Sequence, residues 1–566
     1  MAVFTGQFVP RVSRGVSVSK GLACLGISIP ILVWLWTLNR YALDVVHDDD
    51  FVLLTFLSRW TYPGQSWLNR AIDLIALHNT HRIVYDRLVT LGIYYGLGRM
   101  DVRLLIGLGN VALAGIGWQF WRSYRLMAWP IWYFLPLPFW LFSLQSHENM
   151  FWGMAALQNF TVIWLIFEAI HQLNCQRWLG WPLLLGLAAT LTSGNGLIVF
   201  PVGVVLLARQ SGRNRELGVW LIATILVLGL MLGLSPPTEH RYPFVTWLPN
   251  VCLVLGGTFT NMVTTSVPMA GGALLAGAFC LAGVSWLIQR GWLANRLNKT
   301  TISTEWLMMG LVVLSTALLL AIHRTPAEIL RDRYKIYAHL ALCVVYFLGL
   351  VIAGSRWRGR LAAGVVLVAV VMNINAYLAC LPRVITGFQD RQADAANFRY
   401  YGTTLAPPYW RHSVDSLLQQ AQKQGIYRLP DAFGPPAHWV DRLLSDSLKV
   451  TVLQNNEAGN VYIGLNPLFV QMIDQQLPRR LSDDTDRGLY LVVEMPDKRR
   501  FILPAPPTGA GVRRWLKGEG VFAPGFIVTV LRSRLGAGRY RLKVLQTTAA
   551  GNMLLDSGQT LLVPLT

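Results

Sequence analysis

Apolar runs long enough to cross a hydrocarbon core of about 30 Å recur from Gly21 to Cys380, and none follows. A chain with so many such runs must pair its backbone polar groups inside helices, because lipid offers them no partner. The composition agrees: 53% of the 566 residues are hydrophobic and only 14% are charged, against about 25% charged in an ordinary soluble domain. The chain therefore divides into a helical membrane body, residues 1–382, and a soluble domain, residues 383–566.

Eleven spans follow from the pattern, near 21–38, 102–121, 127–144, 151–170, 178–192, 195–208, 217–234, 267–289, 304–322, 337–353 and 361–381. The stretch from Trp247 to Val267 reads as a re-entrant or interfacial helix. Net charge is +20, but its distribution speaks for topology and against nucleic acid. Basic residues cluster in alternate connections: Arg122 and Arg125, Arg177, Arg209 with Arg213 and Arg215, Arg290 with Arg296 and Lys299, and Arg356 with Arg358 and Arg360. The positive-inside rule makes these and the N-terminus cytoplasmic, and an odd number of spans puts the C-terminal domain outside. Arg11, Arg14 and Lys20 precede the first run and no small-residue cleavage site follows it, so an uncleaved first helix is expected. The six cysteines, Cys24, Cys175, Cys252, Cys280, Cys343 and Cys380, lie in or beside apolar segments, without metal-type spacing.

The first external connection, residues 39–101, is long and opens with Asp44, His47, Asp48, Asp49, Asp50 and Phe51. Trp67, Leu68, Ile72 and Ile75 then recur at helical spacing among charges, as in a helix lying in the membrane interface. His78, Asn79, His81, Arg82 and Asp86 follow. Later external connections carry Gln145, His147, Glu148, Asn149 and Trp152, then Ser193, Gly194, Asn195 and Gly196, then His323, Arg324, Arg331, Arg333, Tyr334 and Lys335. Carboxylates, imidazoles, amides and guanidiniums gathered at one membrane surface suit a polar substrate whose anchor stays in lipid.

This layout resembles the GT-C superfamily of membrane glycosyltransferases, which use polyprenyl-phosphate-linked sugars and place acidic residues in the first external loop. The stretches Asp48–Phe51, His81–Val84, Glu148–Gly153, Ser193–Gly196 and Arg333–Tyr334 also look like those of large bacterial membrane proteins described as glycosyltransferases. The resemblance implies a bacterial inner-membrane protein of about eleven helices with a periplasmic C-terminal domain. It implies transfer of a sugar, with inversion, from a lipid-phosphate donor to a cell-envelope glycan or lipid acceptor. An external-loop carboxylate takes the acceptor's proton: Asp49 first, with Asp48 and Asp50 as alternatives, since three consecutive residues cannot all face one cavity. Arg331, Arg333, Lys335, Arg82 and Arg324 are the candidates for the donor phosphate. His81, His147, Glu148, Asn149, Asn195 and Tyr334 are candidates for acceptor and sugar. Some family members use a divalent cation, Mg or Mn, and others none; here Asp48, Asp49 and Glu148 would hold it.

Beyond residue 383, charged residues, Pro and Gly become frequent. Helices are expected over Ser413–Lys423 and Ala437–Leu444. Strands are expected at Leu448–Leu453, Val461–Leu465, Leu489–Glu494, Arg500–Leu503, Phe526–Leu531, Tyr540–Leu545 and Gln559–Val563, joined by turns at Pro496–Lys498 and Leu535–Gly538. Such a pattern suits a small β-sandwich of jelly-roll type. Two other functions compete with transfer: a lipid-linked glycan transporter or flippase, and a non-catalytic subunit of polysaccharide assembly. A transporter would place its ionisable groups in mid-helix, whereas here they concentrate at helix ends. No Walker A or Rossmann glycine pattern stands in a strand-to-helix setting, which argues against nucleotide use.

Overall fold

The computed structural model describes residues 15–79, 81–175, 178–234, 241–260, 266–292, 299–406, 408–431, 433–443, 448–453, 467–474, 488–495, 499–531, 535, 538–548 and 551–563. Arg177, Arg296, the expected strand at Val461–Leu465, the turn at Pro496–Lys498 and most of the turn after Leu535 lie outside them.

α1 (Gly15–Tyr41) is followed by α2 (Asp50–Trp60), α3 (Trp67–Ile75) and α4 (Val84–Leu97), with β1 (Leu77–His78) and β2 (His81–Arg82) pairing antiparallel between α3 and α4. α5 (Val102–Arg125) leads to α6 (Pro136–Leu141), α7 (His147–Phe151), α8 (Gly153–Cys175), α9 (Gly180–Thr192), α10 (Val199–Ala208) and α11 (Asn214–Gly233). α12 (Phe244–Leu255), α13 (Ser266–Trp292), α14 (Lys299–His323), α15 (Pro326–Ile329), α16 (Lys335–Ile352) and α17 (Ser355–Tyr401) complete the body. Seven described helices are long and apolar enough to cross a membrane: Lys20–Tyr41, Val102–Arg125, Gly153–Cys175, Asn214–Met231, Thr304–His323, Asp332–Ile352 and Ser355–Tyr401. Shorter apolar helices lie at Gly180–Thr192, Gly194–Ala208, Phe244–Leu255 and Ser266–Leu281. Their number and length mark the protein as membrane-embedded.

In the membrane body, three expectations change. The span drawn at 127–144 is not one helix, because Pro130, Pro136 and Pro138 each remove a backbone donor and crowd the preceding turn. A 3-10 turn at Ile131–Phe134, the six-residue α6 and a second 3-10 turn at Leu144–Ser146 stand in its place. The interfacial stretch begins earlier, as α12, and crosses α13 so closely that a Cβ on Gly256 or Gly272 would lie 1.8 Å from a backbone oxygen of the other helix. The last apolar span does not end near residue 381. α17 runs on for 47 residues, roughly 70 Å at 1.5 Å per residue, straight through the boundary drawn at 382/383.

Inside the bundle, the Phe347 ring lies 4.6 Å from Trp306, 5.7 Å from Tyr124 and 5.9 Å from Phe120, centroid to centroid. Offset and tilted aromatic pairs of this kind bury much apolar area with fixed geometry.

Beyond α17 come α18 (Pro408–Lys423), β3 (Val440–Leu443), β4 (Leu448–Leu453), β5 (Pro467–Asp474), β6 (Leu489–Glu494), β7 (Arg500–Pro504), β8 (Pro507–Gly509), α19 (Gly511–Leu516), β9 (Phe522–Leu531), β10 (Gly538–Thr548) and β11 (Gly551–Val563). One sheet has the order β3-β11-β10-β6-β7 and the other β4-β5-β9-β8. Tyr490, Val492 and Val544 from the first and Phe526, Val528 and Val530 from the second share one core, together with Ala393 and Ala396 of α17. The expected helix at Ala437–Leu444 is instead a 3-10 turn at Pro436–His438 and β3, which pairs parallel with β11. Asn397 of α17 donates to the Ile502 carbonyl at 2.7 Å and accepts from its N–H at 2.8 Å, covering the free edge of β7.

Candidate active site

The aspartate run is fixed from both sides. The Asp44 carboxylate accepts from the Val102 N–H at the start of α5, at 2.7 Å. The Tyr427 hydroxyl, from the C-terminal part, accepts from the Val46 N–H at 3.1 Å and donates to the Asp44 carbonyl at 3.0 Å. The chain then turns on Asp48, whose φ of +47° lies in the left-handed region that Asp tolerates better than most residues. Asp49 stands at the N-cap of α2. Three neighbouring carboxylates therefore diverge.

Asp49 lines a cavity of about 490 Å³. Its Oδ1 lies 3.7 Å from His78 Nε2, and His78 beside it holds its carboxyl below the usual carboxylate range, with Arg333 and His81 adding to the effect. This carboxyl is thus ionised under ordinary conditions. Arg324, Arg333 and Tyr334, from the connection between α14 and α16, line the same cavity. Gln158 and Asn159 of α8 and Ser193, Gly194 and Asn195 line it too. Asn195 Nδ2 donates to Tyr337 Oη at 2.9 Å. His81 is pushed down to about 4 by burial, helped by His78 and Arg324, so it stays neutral and serves as a hydrogen-bonding group. Leu319 and Leu320 of α14 give the cavity an apolar side.

A second cavity, of about 200 Å³, takes Asp48, His147, Glu148, Arg331, Arg383 and Arg391. Arg333 borders both, its guanidinium 5.8 Å from the Trp152 ring centre and 5.2 Å from that of Tyr334. Glu148 Oε2 accepts from the Arg333 N–H at 3.3 Å, and Asn149 Nδ2 donates to the Arg333 carbonyl at 2.6 Å. α7 thereby clamps the peptide that presents Arg333. Burial raises the Glu148 carboxyl, with nearby Asp332 reinforcing it, and burial pushes His147 down to about 4.

The larger cavity thus gathers Asp49, Arg324, Arg333, His81, Asn195 and Tyr334, and the smaller one Asp48, Arg331, Arg333, His147 and Glu148. Other candidates stand elsewhere. Asp50 is buried and its Oδ1 accepts from the Met154 N–H at 2.7 Å, near the start of α8, so it positions helices. Asn149 is fully buried between Arg333 and Asn159. Lys335 is buried with its Nζ 2.5 Å from Asp332 Oδ1, and its charge is spent there. Asp332 also faces His147 Nε2 at 3.6 Å and Arg383 at 3.1 Å. Arg82 donates to the carbonyls of Ile75 and, at 3.5 Å, Leu234, fastening the first connection to the end of α11. A cation held jointly by Asp48, Asp49 and Glu148 does not fit, because Asp49 opens to the other cavity. Among the described residues no group of three His, Cys, Asp or Glu side chains converges to hold a metal.

Sequence reasoning missed Arg383 and Arg391, assigned to the soluble domain, and Gln158, Asn159 and Tyr337, submerged in apolar runs. Arg383, Gly387 and Arg391 stand four apart, a one-face spacing that would have shown them had the helix been read through Pro382. The chain matches no protein-family model, no curated protein and no solved structure.

Proposed function

We propose that this chain is a membrane glycosyltransferase of GT-C type, moving a sugar from a polyprenyl-phosphate donor to a cell-envelope glycan or lipid acceptor. The observation that carries the reading is one cavity shared by an ionised carboxylate, Asp49, and two guanidiniums, Arg324 and Arg333. Asp49 takes the acceptor hydroxyl's proton as its oxygen attacks the anomeric carbon. The bond from that carbon to the phosphate oxygen breaks on the opposite face, and the electron pair leaves with the lipid phosphate. Arg333 and Arg324 stabilise the growing phosphate charge. Asn195, Asn159 and Tyr334 supply donors and acceptors for sugar hydroxyls. In this reading the N-terminus is cytoplasmic, both cavities open towards the periplasm of a bacterial inner membrane, and the two-sheet domain is a jelly-roll-like cover beside them.

The test is transfer from radiolabelled polyprenyl-phosphate sugars to membrane glycans by protein in nanodiscs. Wild-type transfer that collapses in both Asp49→Asn and Arg333→Ala, each still folded, supports the reading. Binding of lipid donor without turnover in any preparation of the wild type sinks it in favour of transport or scaffolding.

A further inference from the structure

The smaller cavity is lined by four guanidiniums, those of Arg331, Arg333, Arg383 and Arg391. Arg391 is 8% exposed, and its Nε is sealed from solvent without a hydrogen-bond partner. Asp390, Asp50 and Asp48 act on its charge through space, and Asp48 shares the cavity lining with it. A sealed donor on a nine-tenths buried guanidinium that lines a cavity is satisfied by an acceptor entering that cavity. One turn earlier, Gly387 leaves the floor bare: a Cβ there would lie 3.6 Å from an Arg391 amino group.

Arg331, Arg333 and Arg383 line the same space, against two carboxylates, Asp48 and Glu148. Asp48 lies 3.3 Å from His47 Nε2, and Glu148 accepts from the Arg333 backbone. Burial holds His147 neutral, and Asp332 takes up Arg383 at 3.1 Å, which leaves the guanidiniums of Arg331, Arg333 and Arg391 facing Asp48 and Glu148. Guanidinium forks grouped in this way are the fitting donors for a phosphoryl group. A volume of about 200 Å³ admits one such group and not a glycan chain.

We propose that the smaller cavity is a second oxyanion site, which takes a phosphoryl group beside the one bound in the larger cavity, with Arg333 reaching both. The inference rests on the transferase reading in placing the first phosphate. The second phosphoryl group has two sources: the other phosphate of a lipid diphosphate, the one not bonded to the sugar, or a phosphate substituent on the acceptor.

The experiment measures equilibrium binding to the full chain in nanodiscs, independent of turnover, for polyprenyl monophosphate, polyprenyl diphosphate and a phosphorylated hexose. Variants are Arg391→Gln and, because Arg391 is buried, Arg331→Gln at an exposed position on the same cavity. If the lipid supplies the group, diphosphate binds about 10–100-fold more tightly than monophosphate, and both variants remove the difference while monophosphate binding stays as in the wild type. If the acceptor supplies it, the two lipids bind alike and the hexose phosphate loses affinity in both variants. Binding of all three probes unchanged in Arg331→Gln and in folded Arg391→Gln overturns the proposal. Absence of sugar transfer with these affinities intact would count against the transferase reading alone.

Discussion

Three adjacent aspartates meet three environments, and Asp49 and Asp50 predict different mutants. Asp49→Asn removes the ionised group in the larger cavity and is expected to lower turnover by about 10²–10⁴-fold, with donor binding retained, measured as single-turnover sugar transfer. Equal rates in wild type and variant would remove Asp49 from the chemistry. Asp50 behaves otherwise. Burial raises its carboxyl from 3.8 to about 7, although the N–H groups of Met154 and Asp50's own turn oppose this. A raised value means that the folded state favours the protonated form. Stability from this group is full below about 4 and is lost as pH rises through about 7. Asp50→Asn keeps an acceptor for Met154 and no titrating proton, so its melting temperature should change less than the wild type's across that interval. A parallel pH dependence in both proteins would dismiss the assignment. The sequence singled out this run but could not separate its members, because the separation depends on the positive φ of Asp48 and on Tyr427, some 380 residues away.

At the scale of elements, legibility followed chemistry that acts locally. Continuous apolar runs without proline, such as α5, α8 and α16, could be read directly, and so could strands with β-branched stretches, such as β4 at Leu448–Leu453 and β6 at Leu489–Glu494. The broken 127–144 segment was missed because hydropathy counts side chains and not lost backbone donors. α17 was cut short because polarity after Pro382 suggested a new domain, whereas packing against the sheet core sustains the helix. Its hold on that core is open to measurement. Asn397→Ala would orphan the N–H and carbonyl of Ile502 on the edge of β7, at a cost of about 2–4 kcal/mol. Faster limited proteolysis of the sheet domain, with the membrane body intact, is the expected result. Unaltered protection would show that the edge is satisfied in another way.

For the whole molecule, the charge pattern predicts a sidedness that can be checked directly. A single cysteine replacing the exposed Leu562, in a background lacking the six native cysteines, should react with a membrane-impermeant maleimide added to cells with a permeabilised outer membrane. Labelling only after lysis would invert the topology and move both cavities to the cytoplasmic face. The same scale gives α17 its meaning. The helix threads the bundle, carries Arg383 and Arg391 past the smaller cavity, and is built into the sheet core at Ala393 and Ala396. Near its middle stands Pro382, against which Gly509 of β8 is seated so closely that a Cβ there would meet the proline ring at 3.0 Å. A rigid rod with one weak point and a load on its far end is a lever. A swing of the sheet domain about that fulcrum would carry the two arginines with it and change the shape of the smaller cavity.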